Sequence, residues 1–241
     1  MEQDVLRDLT ESVTVRNIMT QVDQLRRADT HAEAEILHRD YDVVPCPKSG
    51  EIKGYFHRNV VEQLPIEPKM LFADSTTVLD MPRLFMESNL DFCFVVTRNG
   101  ISGYVHYSDM NKTIALFPLL TLLLSAEWTL SQRLPDPIPD EDLKAVLGGK
   151  RVSKLRRERA NRQEANVDLG WTGVLYMTDV LKLASHYWLF PGSPDRVKEV
   201  VDVRNRCVHS GEPLIAKDKD FGKLERVRLF CEEILSGHGP Q

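Results

Sequence analysis

The sequence predicts an α+β protein in two parts, a duplicated unit of strands and helices followed by an all-α helical bundle. Two observations predict this. A segment of the first half recurs 49 residues later without gaps, and after Lys112 the strand-like alternation gives way to helical periodicity. The predicted domains are residues 1–114, with repeats at about 12–65 and 66–114, and residues 115–241.

Composition sets limits on the class of protein. With 241 residues, 42% hydrophobic and 28% charged, the chain can bury a core and is neither disordered nor fibrous. The net charge of -5 argues against a protein that coats nucleic acid through overall charge.

Cysteine spacing and apolar segments predict the compartment. Four separated cysteines without a CxxC pair indicate reduced thiols, with neither a disulfide framework nor a metal site. The N-terminus lacks the positive start of a signal peptide. The most apolar segment, Ile114 to Leu124, is shorter than a membrane span. We therefore expect a cytoplasmic protein without a membrane partner.

The repeat aligns 42–57 with 91–106. Each copy predicts a strand, a turn rich in Gly, Asn and Ser, a second strand and then a helix. Another helix precedes each copy, at His31 to Arg39 and at Val78 to Asn89, and the second is longer by about one turn. The identical pairs are Asp42/Asp91, Ile52/Ile101, Gly54/Gly103, Tyr55/Tyr104 and His57/His106.

These residues resemble a known family. The opening Thr14-Val-Arg-Asn-Ile-Met-Thr20, followed by the doubled pattern and a Gly-x-hydrophobic-x-x-x-Asp motif, is similar to a pair of cystathionine-β-synthase (CBS) domains over about Ser12 to Lys112. The resemblance implies two βαββα units with pseudo-two-fold symmetry. It also implies a cleft for an adenine nucleotide, whose ribose hydroxyls are held by the Asp of the motif.

Carried onto this sequence, the motif assigns nucleotide binding to Asp109, with His106 and Ser108 beside it. The first repeat has Val60 at the position of Asp109, and valine accepts no hydrogen bond, so one nucleotide site is expected rather than two. The alternatives are that Asp109 only caps a helix and that His57 and His106 are ordinary turn residues.

The second half reads as helices separated by Pro and Gly. The fourth of them has a strong start signal, Ser193-Pro194-Asp195. The predicted helices are Leu116 to Leu134, Pro139 to Leu147, Val167 to Phe190, Pro194 to Gly211 and Asp220 to Leu235.

The helix from Pro194 carries polar residues in an unusual place. Arg204 falls within an apolar stripe, where an arginine needs an anion, a carboxylate or a cleft. Asn205 and His209 are four residues apart on one helical face, so the amide can orient the imidazole. The predicted stripe is Val197, Val200, Val201 and Val208.

The segment Arg204-Asn205-Arg206-Cys207-Val208-His209 resembles the RNxxxH motif of the higher eukaryotes and prokaryotes nucleotide-binding (HEPN) superfamily. The resemblance implies a homodimeric endoribonuclease that needs no catalytic cofactor and leaves 2′,3′-cyclic phosphate ends. His209 would be the acid or base, Arg204 would hold the phosphate and Asn205 would orient His209. Alternatively, Arg204 pairs with an acid of another helix and His209 only ends its helix.

Charge divides unevenly between the halves. Residues 1–132 hold 12 Lys+Arg and 19 Asp+Glu, whereas residues 133–241 hold 19 and 17. A basic run at 150–162 is a candidate for tracking an RNA backbone, and the alternative is a solvated loop between helices. The candidate RNA-binding residues are Lys150, Arg151, Lys154, Arg156, Arg157 and Arg159.

Together these features favour a ribonuclease regulated by an adenine nucleotide. By resemblance, such domains act in toxin or phage-defence systems, so an antitoxin or inhibitor protein is a further candidate partner. The alternative is a non-catalytic nucleotide sensor and dimerisation protein whose helical domain binds a partner.

Overall fold

The computed structural model describes residues 2–165, 170–190, 193–209, 212–216 and 220–237. The chain divides into two compact units. The sheet unit comprises Asp8–Pro118 and Leu214–Gly222, and the helical unit comprises Met1–Arg7, Leu119–Pro213 and Lys223–Gln241. The fold is therefore mixed, with an N-terminal sheet region and a helical C-terminal part, as the sequence predicts.

The strands and helices are interleaved in the first half, and only helices follow Lys112 in the described residues. The strands are β1 (Thr20–Gln21), β2 (Val43–Cys46), β3 (Gly54–His57), β4 (Val60–Pro65), β5 (Leu71–Ala73), β6 (Phe92–Thr97) and β7 (Gly100–His106). The helices are α1 (Glu2–Glu11), α2 (Val15–Ile18), α3 (His31–Leu37), α4 (Met81–Ser88), α5 (Thr113–Arg133), α6 (Asp140–Leu147), α7 (Gly149–Glu164), α8 (Met177–His186), α9 (Pro194–Val208) and α10 (Phe221–Ser236). Short 3₁₀ turns lie at Pro68–Met70, Val78–Asp80 and Tyr107–Asn111.

Two segments belong to a different unit from the one that their position in the sequence suggests. Leu6 of α1 lines an apolar groove with Leu124 and Leu235 of the helical unit. Asn111 exchanges two hydrogen bonds with the backbone of Ile215, at 2.9 and 3.0 Å, which fixes that late segment in the sheet unit. These contacts join residues far apart in the chain, so a linear division at residue 114 does not capture them.

The second repeat forms a four-stranded sheet in the order β1-β7-β6-β5. Strands β6 and β7 are an antiparallel hairpin around Arg98 and Asn99, and Gly100 follows with a φ of 98°. β5 runs parallel to β6 through the crossover helix α4. Asn89 ends α4 in the left-handed conformation, where Asn is tolerated. The extra length predicted before this copy is the 3₁₀ turn Val78–Asp80.

The first repeat forms a three-stranded sheet, β2-β3-β4. The sequence pattern predicts a helix after the second strand of this copy, and this prediction is wrong, because β4 follows β3 as a hairpin. The physical reason is local. Only Arg58 and Asn59 separate the strands, and the β-branched Val60 and Val61 favour an extended backbone.

Residues shared by the two repeats pack into one core. Tyr55 meets Phe92 edge to face at 5.4 Å between ring centroids, and Tyr104 stacks on Phe92 at 5.7 Å. The repeated glycines are needed for close packing of strands. A Cβ at Gly54 or Gly103 would lie 2.7 Å from a carbonyl oxygen of the neighbouring strand or segment.

The helical unit departs from the predicted helices at three points, the first being α7, which is not among them. Helix α8 begins only at Met177, and residues 171–174 form a turn, while the predicted start at Val167 lies outside the described residues. Ser193 caps α9 by accepting a hydrogen bond from the Arg196 N–H, as predicted, and α9 ends at Val208. The predicted end at Gly211 also lies outside the described residues.

By length and composition, one helix in the described part of the chain, α5, is long and apolar enough to cross a membrane. The apolar segment Ile114 to Leu124 is only part of this helix, which continues to Arg133, so the expectation that it is too short to span a membrane is wrong. Core helices of soluble proteins satisfy the same criterion. The buried apolar residues of α5 are Ala115, Leu119, Leu122, Leu123, Ala126 and Leu130.

Candidate functional sites

A cleft of about 430 Å³ opens in the sheet unit, and we call it the Asp109 cleft. All three predicted nucleotide-binding residues, Asp109, His106 and Ser108, line it. They lie at the end of β7 and in the 3₁₀ turn after it, because the chain leaves the sheet at His106 and turns at once. The structure thus brings these three side chains together at one strand end.

The Asp109 carboxylate has a structural role at the base of this cleft. Its Oδ2 accepts a hydrogen bond from the His106 N–H at 2.8 Å, and Lys112 Nζ lies 2.9 Å from Oδ1. The capping alternative is therefore correct as a description of local structure. A carboxylate has about four lone-pair sites, so two remain for a ligand such as a ribose diol.

The His106 ring is held by its neighbour. Its Nδ1 lies 2.7 Å from Ser108 Oγ and accepts from the Ser108 N–H at 3.3 Å. His57 makes the same kind of contact with the Asn59 N–H, at 3.3 Å. Both histidines therefore stabilise the turns that follow β3 and β7, which agrees with the turn-residue alternative.

Two residues that line the Asp109 cleft, Arg26 and Tyr41, are not among the binding residues predicted from the sequence. Arg26 is an exposed cation, and Tyr41 is 46% exposed at the cleft edge. A guanidinium can bind phosphate and an aromatic ring can stack on a base. Tyr41 is not identical between the repeats, so the repeat alignment alone gives no signal for it.

Tyr104, which also lines the Asp109 cleft, is a neutral phenol. Burial, together with the nearby Asp109 carboxylate, raises the pKa of Tyr104 well above its ordinary value. Burial and Asp109 also raise the pKa of the Cys93 thiol. Neither group ionises near neutral pH, so the polar chemistry of the cleft comes from its edge.

A second cleft of about 440 Å³ lies at the equivalent place in the first repeat, and we call it the Asn59 cleft. Several lining positions of the two clefts correspond at the offset of 49 residues, although Arg26 and Asp109 of the Asp109 cleft have no counterpart in the lining of the Asn59 cleft. Leu90 replaces Tyr41, Asn89 replaces Asp40, and Asn59 replaces Ser108. The Asn59 cleft therefore lacks the exposed aromatic ring as well as the motif carboxylate.

The RNxxxH segment occupies the end of α9 in the helical unit. Arg204 is half-buried, whereas Asn205 and His209 are exposed. Arg204 Nη1 lies 3.5 Å from Asn205 Oδ1, and among the described residues no hydrogen bond joins the Asn205 side chain to the His209 ring. The orienting role of Asn205 toward His209 stays a prediction.

Two expectations for α9 are wrong. Val208 is 45% exposed and the buried stripe passes through Val203 instead. His209 is the C-cap, with φ -104° and ψ 119°, and so lies outside the helix. An i, i+4 face argument assumes helical backbone at both residues, and this assumption does not hold at His209.

Arg204 faces an acid of α5, Glu127. Burial raises the pKa of Glu127, and the nearby Arg204 charge lowers it. Within the described residues no ion pair joins Arg204 and Glu127 within 4 Å, and Arg204 Nε is buried without a hydrogen-bond partner. Arg204 therefore has one buried donor that is not satisfied, and it lies near a carboxylate.

The basic run at 150–162 lies on α7, so the loop alternative is wrong. Arg151 donates hydrogen bonds to both carboxylate oxygens of the buried Asp179, and these bonds raise the pKa of Arg151. Arg156 is paired with Asp140, and the guanidinium of Arg159 lies 5.0 Å from the ring centroid of Trp171.

The other three residues of this run are more accessible. Lys154 lies 3.8 Å from Glu158, one helical turn away. Lys150 and Arg157 are exposed and make no ion pair with the described residues. Lys150 and Arg157 are therefore the most available of the six candidates for an RNA backbone.

The described residues include four free cysteines. Cys46, Cys93 and Cys231 are buried free thiols, and Cys207 is half-buried. Among the described residues, no group of three or more His, Cys, Asp or Glu side chains is arranged to hold a metal ion.

Comparison with known proteins gives structural likeness only. No family profile matches this sequence, and no curated protein matches it. Two solved structures of the CBS domain of the bacterial CNNM/CorC family Mg²⁺ transporter align at 19% and 16% identity. The alignment with the first, which is in complex with an inhibitor, has a TM-score of 0.36 and covers 47% of this chain and 82% of the other chain. The alignment with the second, which is in complex with ATP, has a TM-score of 0.35 and covers 45% of this chain and 94% of the other chain. Hypoxic Response Protein I, with two coordinated zinc ions, aligns at 15% identity with a TM-score of 0.32, over 41% of this chain and 96% of its own.

Proposed function

We propose that this protein is an adenine-nucleotide sensor that binds its ligand in the Asp109 cleft. One observation carries the proposal. The cleft combines a carboxylate with free lone pairs, an exposed aromatic ring and an exposed guanidinium, at Asp109, Tyr41 and Arg26. Ribose hydroxyls, a purine base and phosphate need these three kinds of partner. In this proposal the sheet unit is a CBS pair, in which the first repeat continues into β4 instead of a final helix, with one working nucleotide site.

Calorimetric titration of ATP, ADP, AMP and cyclic adenylates into the full chain tests this proposal. Asp109→Asn keeps an oxygen that can accept the cap bond from the His106 N–H, so the fold is expected to persist while ribose binding weakens. Loss of one hydrogen-bonded charged partner costs about 1.5–3 kcal/mol, which corresponds to a Kd roughly 10–100 times higher.

Tyr41→Leu is the second variant, because it introduces the residue that the Asn59 cleft has at the equivalent position. A base stack is worth about 1–3 kcal/mol, so affinity is expected to fall by a factor of roughly 5–100. The matched control is Leu90→Ala in the Asn59 cleft, which should leave affinity unchanged. Equal affinity of wild type, Asp109→Asn and Tyr41→Leu contradicts the proposal.

A second candidate function, RNA cleavage by the helical unit, rests on the half-buried Arg204, which has one unsatisfied donor, and on the exposed His209 that ends the same helix. In this reaction the RNA 2′-hydroxyl attacks the adjacent phosphorus. Its proton passes to a base, a new P–O bond forms, and the bond to the 5′-oxygen breaks as that oxygen gains a proton. Arg204 would hold the phosphate oxygens and His209 would transfer a proton. No catalytic cofactor takes part in this scheme.

Incubation with single-stranded RNA in EDTA tests cleavage, with end analysis for 2′,3′-cyclic phosphates. His209→Ala and Arg204→Ala should each lower the rate by at least about 100-fold, and His186→Ala is the control on an exposed histidine elsewhere in the same unit. If RNA is cleaved equally by wild type and His209→Ala, or not at all with or without nucleotide, the sensor remains and the nuclease is rejected.

We further propose that the protein is a homodimer in the cytoplasm, without a membrane partner. If the nuclease is active, an antitoxin or inhibitor protein is a further proposed partner. An RNA backbone would run along Lys150 and Arg157, the accessible residues of α7. Lys150→Glu with Arg157→Glu should weaken RNA binding in a salt-dependent way, whereas an unchanged affinity would exclude this surface.

A further inference from the structure

We propose that an apolar ridge on α5, formed by Leu124 and Trp128, is the surface that binds a second copy of this chain. Leu124 is 47% exposed and Trp128 is 67% exposed, whereas Leu123 and Leu130 on the opposite side of the helix are fully buried. Contiguous exposed apolar patches often mark protein–protein contacts. The inference rests on the homodimer within the proposed function and gives that dimer an interface.

Two grooves of the helical unit flank the ridge, and Leu124 and Trp128 contribute to both walls. The Glu127 groove has a volume of about 560 Å³ and is lined also by Leu175 and Val180. The Leu235 groove has about 480 Å³ and is lined also by Leu6, Leu235 and Thr129. A protruding apolar ridge and apolar grooves therefore lie side by side on one surface.

This arrangement is self-complementary, which is what an isologous dimer requires. A two-fold axis parallel to α5 lets the ridge of each copy enter the same groove of the other. Aromatic side chains bury about 150–250 Å² each, so a Trp128 that is 67% exposed still offers roughly 100–170 Å². Two such anchors near the axis are the typical centre of an interface. A standard interface buries about 800 Å² per copy, so in this dimer most of the area would come from the surface around the ridge and the groove.

Charge favours the Leu235 groove as the one that is filled. Pairing through the Glu127 groove would bring two carboxylates close to the two-fold axis, and like charges in a desolvated contact are unfavourable. The Leu235 groove contains no acid among its described lining residues, and its cation, Arg133, donates to the Ile234 carbonyl at 3.1 Å. That carbonyl belongs to the negative end of α10, which partly offsets the Arg133 charge.

Analytical ultracentrifugation of the full chain over a range of concentrations tests the ridge. Trp128→Glu should raise the dimer Kd by roughly 10²–10³-fold, because two buried Trp anchors are lost per dimer. Trp188→Glu is the matched control, since Trp188 is 82% exposed on the same unit but away from the ridge. Circular dichroism of both variants confirms that the helices remain folded.

Cysteine cross-linking tests which groove is filled, in a Cys207→Ser background because the other native thiols are buried. Thr129→Cys, in the Leu235 groove, should form a covalent dimer on mild oxidation. Gln132→Cys, in the Glu127 groove, should not. Cross-linking of the Gln132→Cys protein alone would overturn the choice of groove.

The outcomes separate this inference from the rest of the proposed function. A wild-type dimer that Trp128→Glu leaves intact overturns the ridge but not the homodimer. A wild-type protein that stays monomeric at all concentrations tested overturns both the ridge interface and the homodimer. If that monomer binds anionic phospholipid vesicles and Trp128→Glu abolishes the binding, the ridge binds lipid instead. Nucleotide titration is read independently of the oligomeric state, so its failure would reject the sensor without affecting the interface.

Discussion

The buried ion pair between α7 and α8 gives a strong test of how the helical unit is held together. Asp179 is 5% exposed and accepts from Arg151 Nε at 3.1 Å and from Arg151 Nη2 at 2.5 Å. It also accepts from the Tyr176 N–H at 3.1 Å, which caps α8. Asp179→Ala removes all of these bonds and leaves a guanidinium that is only 24% exposed.

The loss of unfolding free energy caused by Asp179→Ala has two parts. Removing one partner of a buried pair costs about 3–5 kcal/mol, and the lower end applies because Arg151 regains some water. Loss of the cap adds about 1 kcal/mol. We expect Asp179→Ala to destabilise the helical unit by about 3–4 kcal/mol, whereas Asp179→Asn, which can keep the cap, should cost roughly 1 kcal/mol less.

The assay follows the helical unit alone, because all three tryptophans of the chain, Trp128, Trp171 and Trp188, lie in it. Urea unfolding is monitored by tryptophan emission, with an expected fall in midpoint of about 1–3 M for an unchanged slope. The control is Asp140→Ala, which breaks an ion pair in which both side chains are about half exposed and should cost less than about 1 kcal/mol. If Asp179→Ala and Asp140→Ala differ by less than 0.5 kcal/mol, roughly the effect of an ordinary surface substitution, the reasoning is refuted.

Three further predictions concern the two units separately. Gly103→Ala should destabilise the sheet unit by about 1–3 kcal/mol, because its Cβ would lie 2.7 Å from the Thr20 carbonyl oxygen; unchanged hydrogen-exchange protection of β7 would contradict it. Burial raises the pKa of Glu127, so the folded state holds this proton more tightly, and the stability of the helical unit should fall as pH rises from the ordinary pKa through the raised one. Glu127→Gln should remove that decline in urea midpoints measured between pH 4 and 7, and a persisting decline would assign it to another group. Gly149→Ala should stabilise α7 by about 0.5–1 kcal/mol, since no atom lies within 4 Å of the new Cβ, and a lowered melting temperature would be inconsistent with this.

The repeat explains how much of the sheet unit the sequence can predict. Identical residues at a fixed offset predict equal local geometry, and Tyr55 and Tyr104 do share one core while Gly54 and Gly103 meet the same steric limit. The hairpin β6–β7 follows from its two-residue turn and Gly100. Local signals of this kind are contained in the sequence itself.

What could not be predicted depends on contacts between distant segments or on backbone geometry at helix ends. Leu6 and Ile215 belong to units that their neighbours in sequence do not indicate. Asp179 gives no sign in the sequence that it will be buried and will engage Arg151, so a basic run reads as a free surface. Periodicity also continues through Val208, although the helix stops there and His209 is extended.

The two repeats differ in the path of the backbone after the equivalent strands β3 and β7. After β7 the chain turns at His106, and this 3₁₀ turn carries Asp109 into the cleft. After β3 the chain instead reverses into β4, so that Val60 pairs with His57 as part of a strand. The first repeat therefore lacks the turn as well as the carboxylate, and an acid at position 60 would sit on a strand rather than at the base of a cleft. Backbone path and side-chain chemistry differ together here, which makes the single-site interpretation stronger than the sequence difference between Val60 and Asp109 alone.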